Sequence, residues 1–199
     1  MEPTLTATMY ADRRRQFKDR LGWPVKIDPH GNERDEYDDE NPLYIIISAA
    51  DGTHAGSLRL LPTTGRTMLS DNFSDTMGGR KIEDPLVWEC TRFCLSPRQN
   101  RKVALTLLVT TARLMQLAGL QSLVAIFDAK MLRLYKLMGI EPEVIGSQNY
   151  ETGIAQAGLW YFDEAKYGSL IKASGIDPLE LELVTTNIEL PWTVSVMAN

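Results

Sequence analysis

The stretch LVWECTRFCL (86–95), followed by RKVALTLLVTTARLMQLAGL (101–120) and SLVAIF (122–127), decides the fold. The first reads as a strand, since β-branched, aromatic and apolar residues fill it and neither Gly nor Pro interrupts it. In the second, Ala104, Leu107, Leu108, Thr111, Leu114, Met115 and Ala118 follow the 3.6-residue period, and Gly119 marks the end of a long helix. The third is a compact apolar strand, after which Asp128 can cap a helix over Ala129–Met138, ahead of Gly139.

Upstream, Tyr10–Leu21 reads as a helix with Tyr10, Phe17 and Leu21 near one face; Gly22 stops it and Pro24 prevents its renewal. Residues 25–42 are polar and acidic, a loop by composition. Leu43–Ala49 and Ala55–Leu61 are strand-like runs joined through Asp51-Gly52, a strong hairpin signal. A long connection with Gly65, Gly78 and Gly79 covers 62–84. Downstream, strands are expected over Glu143–Ser147 and Gln156–Phe162, then a short helix from Asp163 and an acidic tail from Asp177 that ends in the apolar segment Leu190–Val196. Helices interleaved with mostly sequential strands favour an α/β fold, a three-layer α-β-α sandwich on a mixed sheet. Residues 1–199 read as a single domain.

Composition excludes several classes. The chain has 199 residues, 44% of them hydrophobic and 24% charged, enough to build a core. A net charge of −5 argues against a nucleic-acid binder, which needs Lys and Arg against phosphate. No apolar run reaches the ~18 residues of a membrane span, and the start shows no secretory signal, so a soluble cytoplasmic protein is expected, with no membrane partner and a monomer as its state. Cys90 and Cys94 would stand ~13 Å apart at ~3.3 Å per strand residue, too far for a disulfide. His30 and His54 are isolated and no Cys or His pair has zinc-ligand spacing, so no metal is expected.

Charge is uneven along the chain. Residues 28–40 hold seven acids against Arg34 alone, and residues 92–136 hold eight bases against Asp128 alone. A basic middle in an acidic protein suits an anionic partner, although two solvated helix faces would look the same. There is no Gly-x-Ser-x-Gly, Walker loop or Gly-x-Gly-x-x-Gly. A His-dependent triad is not expected, since both histidines sit in or near turns. What remains is a set of charged residues at the ends of elements. Arg59, Glu89 and Arg92 lie inside apolar strands, where an unpaired charge is costly, and Asp35 and Asp38 are available as partners. Glu89 and Arg92 are three apart, so a regular strand would send them to opposite faces; if both line one site, a bulge must intervene.

Arg13-x3-Phe17-x5-Trp23, Asp35-Glu36-Tyr37-Asp38, Arg59-Leu60-Leu61-Pro62-Thr63 and Glu89-x2-Arg92-Phe93 occur in order. Together they resemble the acyl-homoserine lactone synthases, the quorum-sensing autoinducer synthases, over roughly residues 10–140. The resemblance implies an N-acetyltransferase-like fold with a sheet splayed around a thioester site. It implies two substrates, S-adenosylmethionine and an acyl thioester on acyl carrier protein or coenzyme A, and no cofactor. The amine attacks the thioester carbonyl, and the carboxylate then displaces methylthioadenosine from the γ-carbon to close the lactone.

The residue types fit that chemistry. An ammonium must lose a proton before it attacks, which needs a base such as Glu89. The methionine carboxylate wants an Arg, the sulfonium and ammonium favour Asp35 and Asp38, and adenine can stack on Trp23 or Phe17. Arg13, Arg59, Arg92 and Phe93 complete the expected site. Val124, Ala125, Ile126 and Phe127, with Met131, Leu134 and Tyr135 behind them, are expected to line the acyl channel; no hydroxyl lies between Ser122 and Tyr135, which points to an unsubstituted chain. Arg98, Arg101, Lys102, Lys130, Arg133 and Lys136 are the expected docking surface for an acidic carrier. The rivals are an ordinary coenzyme A-dependent N-acyltransferase and a non-catalytic S-adenosylmethionine sensor. Against the first, residues 95–102 contain no glycine for a pyrophosphate loop; against the second stand Glu89 and Arg92.

Overall fold

A computed structural model describes residues 3–97, 99, 101–151 and 153–186. Helix α1 (Pro3–Arg13) runs into a π-helical segment, Arg14–Arg20, whose wider turn is closed by Leu21 N–H donating to Gln16 O at 3.1 Å. The helix thus starts earlier than the apolar pattern from Tyr10 predicts, and Gly22, at φ +66°, ends it as expected. Strands β1 (Leu43–Ser48) and β2 (His54–Pro62) form the hairpin. The connection read as irregular holds α2 (Met68–Asn72) and a 3₁₀ turn, Ser74–Met77.

Next come β3 (Val87–Leu95), α3 (Arg101–Ala118), β4 (Ser122–Asp128), α4 (Met131–Met138), β5 (Glu143–Tyr150), β6 (Gly153–Tyr161), α5 (Glu164–Ser174) and α6 (Pro178–Thr186). Asp163 caps α5 by accepting from Lys166 N–H at 2.8 Å. Asp128 accepts from Lys130 N–H at 2.9 Å, but Lys130 itself is the residue that precedes α4, so this helix starts two residues later than the sequence suggests. The segment Leu190–Val196 lies outside the described residues.

The six strands form one mixed sheet in the order β1-β2-β3-β4-β6-β5. Only β3 and β4 are parallel, joined through α3. Strand β2 is buried along nearly its whole length, as a strand covered on both faces must be. Leu58 and Leu60 of β2 point into the core with Leu107, Leu114 and Met115 of α3. The alternate residues Ser57 and Arg59 point to the other face, beneath α1. A Cβ at Gly56 would lie 2.8 Å from Val103 Cγ1, so glycine lets α3 settle close against β2. Leu69 of α2 and Met77 pack with Val87, Val124 and Ala157 on the α1 side of the sheet, and α5 and α6 pack on the outer side of α3 through Val109, Tyr167 and Leu181. The sheet therefore lies between helical layers.

Parallel pairing between β3 and β4 is confined to Val87↔Ser122, Trp88↔Leu123 and Glu89↔Val124. Beyond Glu89 the two strands part, each still paired on its outer side, β3 to β2 and β4 to β6. This fork positions the site.

Candidate active site

Six charged side chains form a closed ring on the α1 face of the sheet. Arg13 Nε meets Glu33 Oε2 at 2.5 Å, and Glu33 Oε1 meets Arg92 Nη2 at 2.9 Å. Arg92 Nη2 meets Asp35 Oδ2 at 2.7 Å, and Asp35 is paired with Arg59. Arg59 Nη1 meets Asp38 Oδ1 at 2.8 Å, and Asp38 returns to Arg13 Nη1 at 2.8 Å. Three guanidinium groups alternate with three carboxylates, so each charge taken from water touches two of opposite sign.

Local sequence sets this geometry. Asp35 caps the 3₁₀ turn Glu36–Asp39 by accepting from Tyr37 N–H at 3.1 Å, and Asp38 Oδ2 accepts from Asp35 N–H at 2.9 Å. This reciprocal capping fixes both carboxylates before any arginine arrives. Tyr44 donates its hydroxyl to Asp38, and Thr91 Oγ1 accepts from Arg59 Nε at 3.0 Å.

Burial alone would raise the Asp38 carboxyl, but Arg13 and Arg59 hold it well below the usual range; Asp35, beside Arg59 and Arg92, is lowered in the same way. Burial would likewise lower Arg13 and Arg59, yet their carboxylate neighbours hold both guanidinium groups above the ordinary value.

Arg92 differs from the other two arginines. It takes φ +54° in β3, and the register against β2 slips between Ser57 and Arg59. This is the bulge that the Glu89–Arg92 spacing requires, and it turns Arg92 into the ring. Its Nε and Nη2 serve Glu33 and Asp35, while its Nη1 reaches only the thioether sulfur of Met68, at 3.3 Å. Arg13 and Arg59 spend every guanidinium nitrogen on stronger acceptors. Arg92 therefore carries the ring's spare donor.

Glu89 is fully buried at the fork, on the same face. Its oxygens accept from the backbone N–H groups of Met68 (2.9 Å) and Leu69 (2.6 Å), where α2 begins. Burial pushes its carboxyl up, opposed by those two N–H groups and by Arg59 and Arg92, to about 7. A carboxyl near neutrality is matched to a general base.

Phe17 is buried and stacked on Trp23, with ring centroids 5.4 Å apart and planes 15° apart, and the Arg92 guanidinium lies 5.4 Å over the Phe17 ring. Phe17 is thus enclosed, which leaves Trp23, half-buried, as the aromatic with a face to offer. Phe93 follows the bulge but is 38% exposed and takes no part in the ring.

The expected acyl residues do not share one face, because strand side chains alternate. Val124 and Ile126 pack toward α2 with Leu69 and Met77. Ala125 and Phe127 lie on the opposite face, where Phe127, Tyr135 of α4 and Trp160 of β6 form an edge-to-face cluster with centroids 5.3–5.6 Å apart. Burial raises the Tyr135 phenol to about 12, with Cys90 of β3 as the nearby partner. Met131 is half-buried on α4 and Leu134 is exposed there.

Among the bases, Arg101 and Lys102 at the start of α3 and Lys130, Arg133 and Lys136 along α4 are exposed; Arg98 lies outside the described residues. Cys90 and Cys94 are free thiols. His54 stands next to the hairpin turn, as expected, but is not a surface residue. It opens β2, fully buried, with Nδ1 2.9 Å from Asp12 Oδ2 and Nε2 3.0 Å from Ser57 Oγ. All three residues are buried between α1 and the sheet. Burial lowers the His54 pKa against the opposing pull of Asp12, and the array ties α1 to β2.

Sequence reasoning missed Glu33, which bridges Arg13 and Arg92. It was one acid among seven in residues 28–40; only the count of three strand or helix arginines against two chosen aspartates signalled a missing partner.

A mixed sheet forked between its two parallel strands, with a buried carboxyl at the fork, has the form of an N-acetyltransferase-like fold. The chain belongs to the autoinducer synthase family, whose profile matches residues 1–166. It is similar to an acyl-homoserine-lactone synthase of Rhizobium etli, 39% identical over 159 residues, which are 76% of this chain and 74% of that protein. Its fold matches that of BjaI, a CoA-dependent acyl-homoserine lactone synthase solved with SAM and isopentyl-CoA, at a TM-score of 0.79 and 23% identity, over 86% of this chain and 82% of the other. A protein assigned as an N-acetyltransferase from Lactobacillus plantarum shares the fold at a TM-score of 0.56 and 17% identity, over 81% and 94%. Among the described residues, no helix is long and apolar enough to cross a membrane.

Proposed function

We propose that this acyl-homoserine-lactone synthase binds S-adenosylmethionine over the ring of ion pairs and receives an acyl thioester in the fork between β3 and β4. The observation that carries this reading is Glu89, a buried carboxylate raised to about 7 where the two strands part.

The spare Nη1 of Arg92 holds the substrate carboxylate, since it is the ring nitrogen whose acceptor is only a thioether sulfur. The outer face of Trp23 takes the adenine. Asp35 and Asp38, held ionised, present negative potential toward the sulfonium and ammonium. Glu89 removes one proton from the ammonium, and the free amine attacks the thioester carbon. The C–S bond breaks and an amide forms; of the two protons the nitrogen gives up, one leaves with the thiolate as a thiol and the other passes through Glu89 to solvent. The carboxylate oxygen then attacks the γ-carbon as the C–S⁺ bond breaks, which releases neutral methylthioadenosine and the lactone. The sulfonium is already a good leaving group, so this step needs mainly position.

The acyl donor is a thioester on acyl carrier protein, steered by Arg101 and Lys102 on α3 and Lys130, Arg133 and Lys136 on α4. The purified protein should release methylthioadenosine only when S-adenosylmethionine and an acyl thioester are both present. No lactone from a panel of carrier and coenzyme A thioesters would overturn this function.

A further inference from the structure

Gln156 of β6 pairs directly with Phe127 of β4. Alternation puts it on the same face as Gly158 and Trp160, the face that carries the Phe127–Tyr135–Trp160 cluster. A Cβ at Gly158 would lie 2.9 Å from Phe127 Cε1, so this part of β6 is pressed against that ring. Here the amide oxygen Oε1 of Gln156 is shut off from solvent and accepts no hydrogen bond, alone among the buried side-chain polar atoms of the described residues. The ring carboxylates, by contrast, have every oxygen engaged. An unmet buried acceptor carries a free-energy cost, and a ligand that brings the donor relieves it.

None of the neighbours meets it, the Tyr135 hydroxyl of the same cluster included. Trp160 commits its indole N–H to Ile140 O at 2.6 Å. Ser147, opposite on β5, is exposed and makes no hydrogen bond to it. Phe127 has nothing to donate.

Resting on the lactone-synthase reading, we propose that Gln156 is a specificity-determining residue for the acyl chain. Its Oε1 accepts a hydrogen bond from a hydroxyl on a chain lying along the Phe127–Tyr135–Trp160 face, and the preferred donor is therefore a hydroxyacyl thioester. Strand β4 alone, which lacks a hydroxyl, points to an unsubstituted chain; the polar contact comes instead from the neighbouring strand. A ketone has no proton to give to Oε1, so with the amide oriented as it is here the acceptor favours the 3-hydroxy over the 3-oxo chain.

The test compares wild type with Gln156→Met, which keeps length and loses the acceptor. Substrates are 3-hydroxyacyl, 3-oxoacyl and unsubstituted thioesters of equal chain length, with methylthioadenosine release as the readout. Wild type should use the hydroxyacyl donor about 10-fold better in kcat/KM than the unsubstituted one, and Gln156→Met should bring that ratio to about one. The lactones that wild-type protein makes in cells, read by mass spectrometry, should carry a hydroxyl, a readout that needs no variant to fold. A ratio unchanged in Gln156→Met, a wild-type preference for 3-oxo chains, or only unsubstituted lactones in cells overturns the proposal while leaving lactone synthesis intact. No methylthioadenosine release with any thioester overturns both.

Discussion

Arg92 faces the same side of the sheet as Glu89, three residues before it on the same strand, because Arg92 adopts φ +54° at a bulge. A left-handed arginine is strained, at about 1 kcal/mol or more, and holds only where its surroundings dictate it. Here Glu33 and Asp35 do so. The bulge places the Glu89 carboxyl, the proposed base, near the guanidinium with a donor to spare.

Glu89→Gln should lower turnover by about 10²-fold or more, because the amide keeps volume but accepts no proton. In wild type, kcat/KM should rise with pH through about 7, and stopped assays across pH 5.5–8.5 would read this. Stability moves oppositely. The folded carboxyl sits above its ordinary value of 4.5, so its ionisation costs the fold progressively from about 4.5 to about 7. Melting curves of Glu89→Gln should gain on wild type across that interval. A fully active variant would remove Glu89 as the base.

Glu33→Ala would leave Arg13 and Arg92 short of a partner, at a cost of about 3–5 kcal/mol in urea unfolding. Arg59→Ala should hurt both folding and activity, since it strands Asp35 and Asp38. The depressed Asp35 and Asp38 stabilise the fold above their ordinary carboxylate value, and this contribution is lost as pH falls through the lower folded values. Asp38→Asn should therefore flatten the acid limb of a stability–pH profile.

Charge reversal at Arg133 should raise KM for an acyl carrier protein donor several-fold at low salt. Added salt should do the same to wild type, since exposed charges are screened beyond ~8 Å at physiological ionic strength. A short neutral thioester analogue with an equal salt response would return these helices to plain solvated faces, and preference for coenzyme A thioesters would assign the bases to the nucleotide's phosphates.

Phe127→Ala opens the aromatic cluster of Phe127, Tyr135 and Trp160. The variant should accept chains ~2–4 carbons longer, each buried methylene being worth ~0.8 kcal/mol, at a stability cost of about 3–5 kcal/mol. An unchanged product profile in the folded variant would place the end of the acyl chain elsewhere.

Five ring members were legible in the sequence: Arg59 and Arg92 because a charge inside an apolar strand needs a partner, Asp35 and Asp38 as the carboxylates available to them, and Arg13 by its spacing to Phe17 and Trp23 in the pattern that resembles the lactone synthases. Glu33 was not, since a carboxylate in an acidic loop carries no such signal. The strands followed from β-rich and apolar runs between turn signals, and α3 from its 3.6-residue period. The acyl residues proved to be divided: four consecutive apolar residues suggest one wall, yet the two-residue repeat of a strand assigns Val124 and Ile126 to one face and Ala125 and Phe127 to the other. His54 looked like a turn residue from its neighbours Gly52 and Thr53, and only tertiary packing reveals Asp12 and Ser57 around it.

The parting of β3 and β4 after three residue pairs leaves the inner margins of both strands without each other's amide groups. A fold open in this way is finished by what enters it. An acyl donor that lays an amide-bearing arm between the margins can substitute for the absent rungs, so occupancy and cohesion become one equilibrium. Thermal resistance should then rise with the logarithm of donor concentration, by about 2.7 kcal/mol at a hundredfold excess over Kd, and amide exchange should slow first along Cys90–Leu95 and Ala125–Asp128.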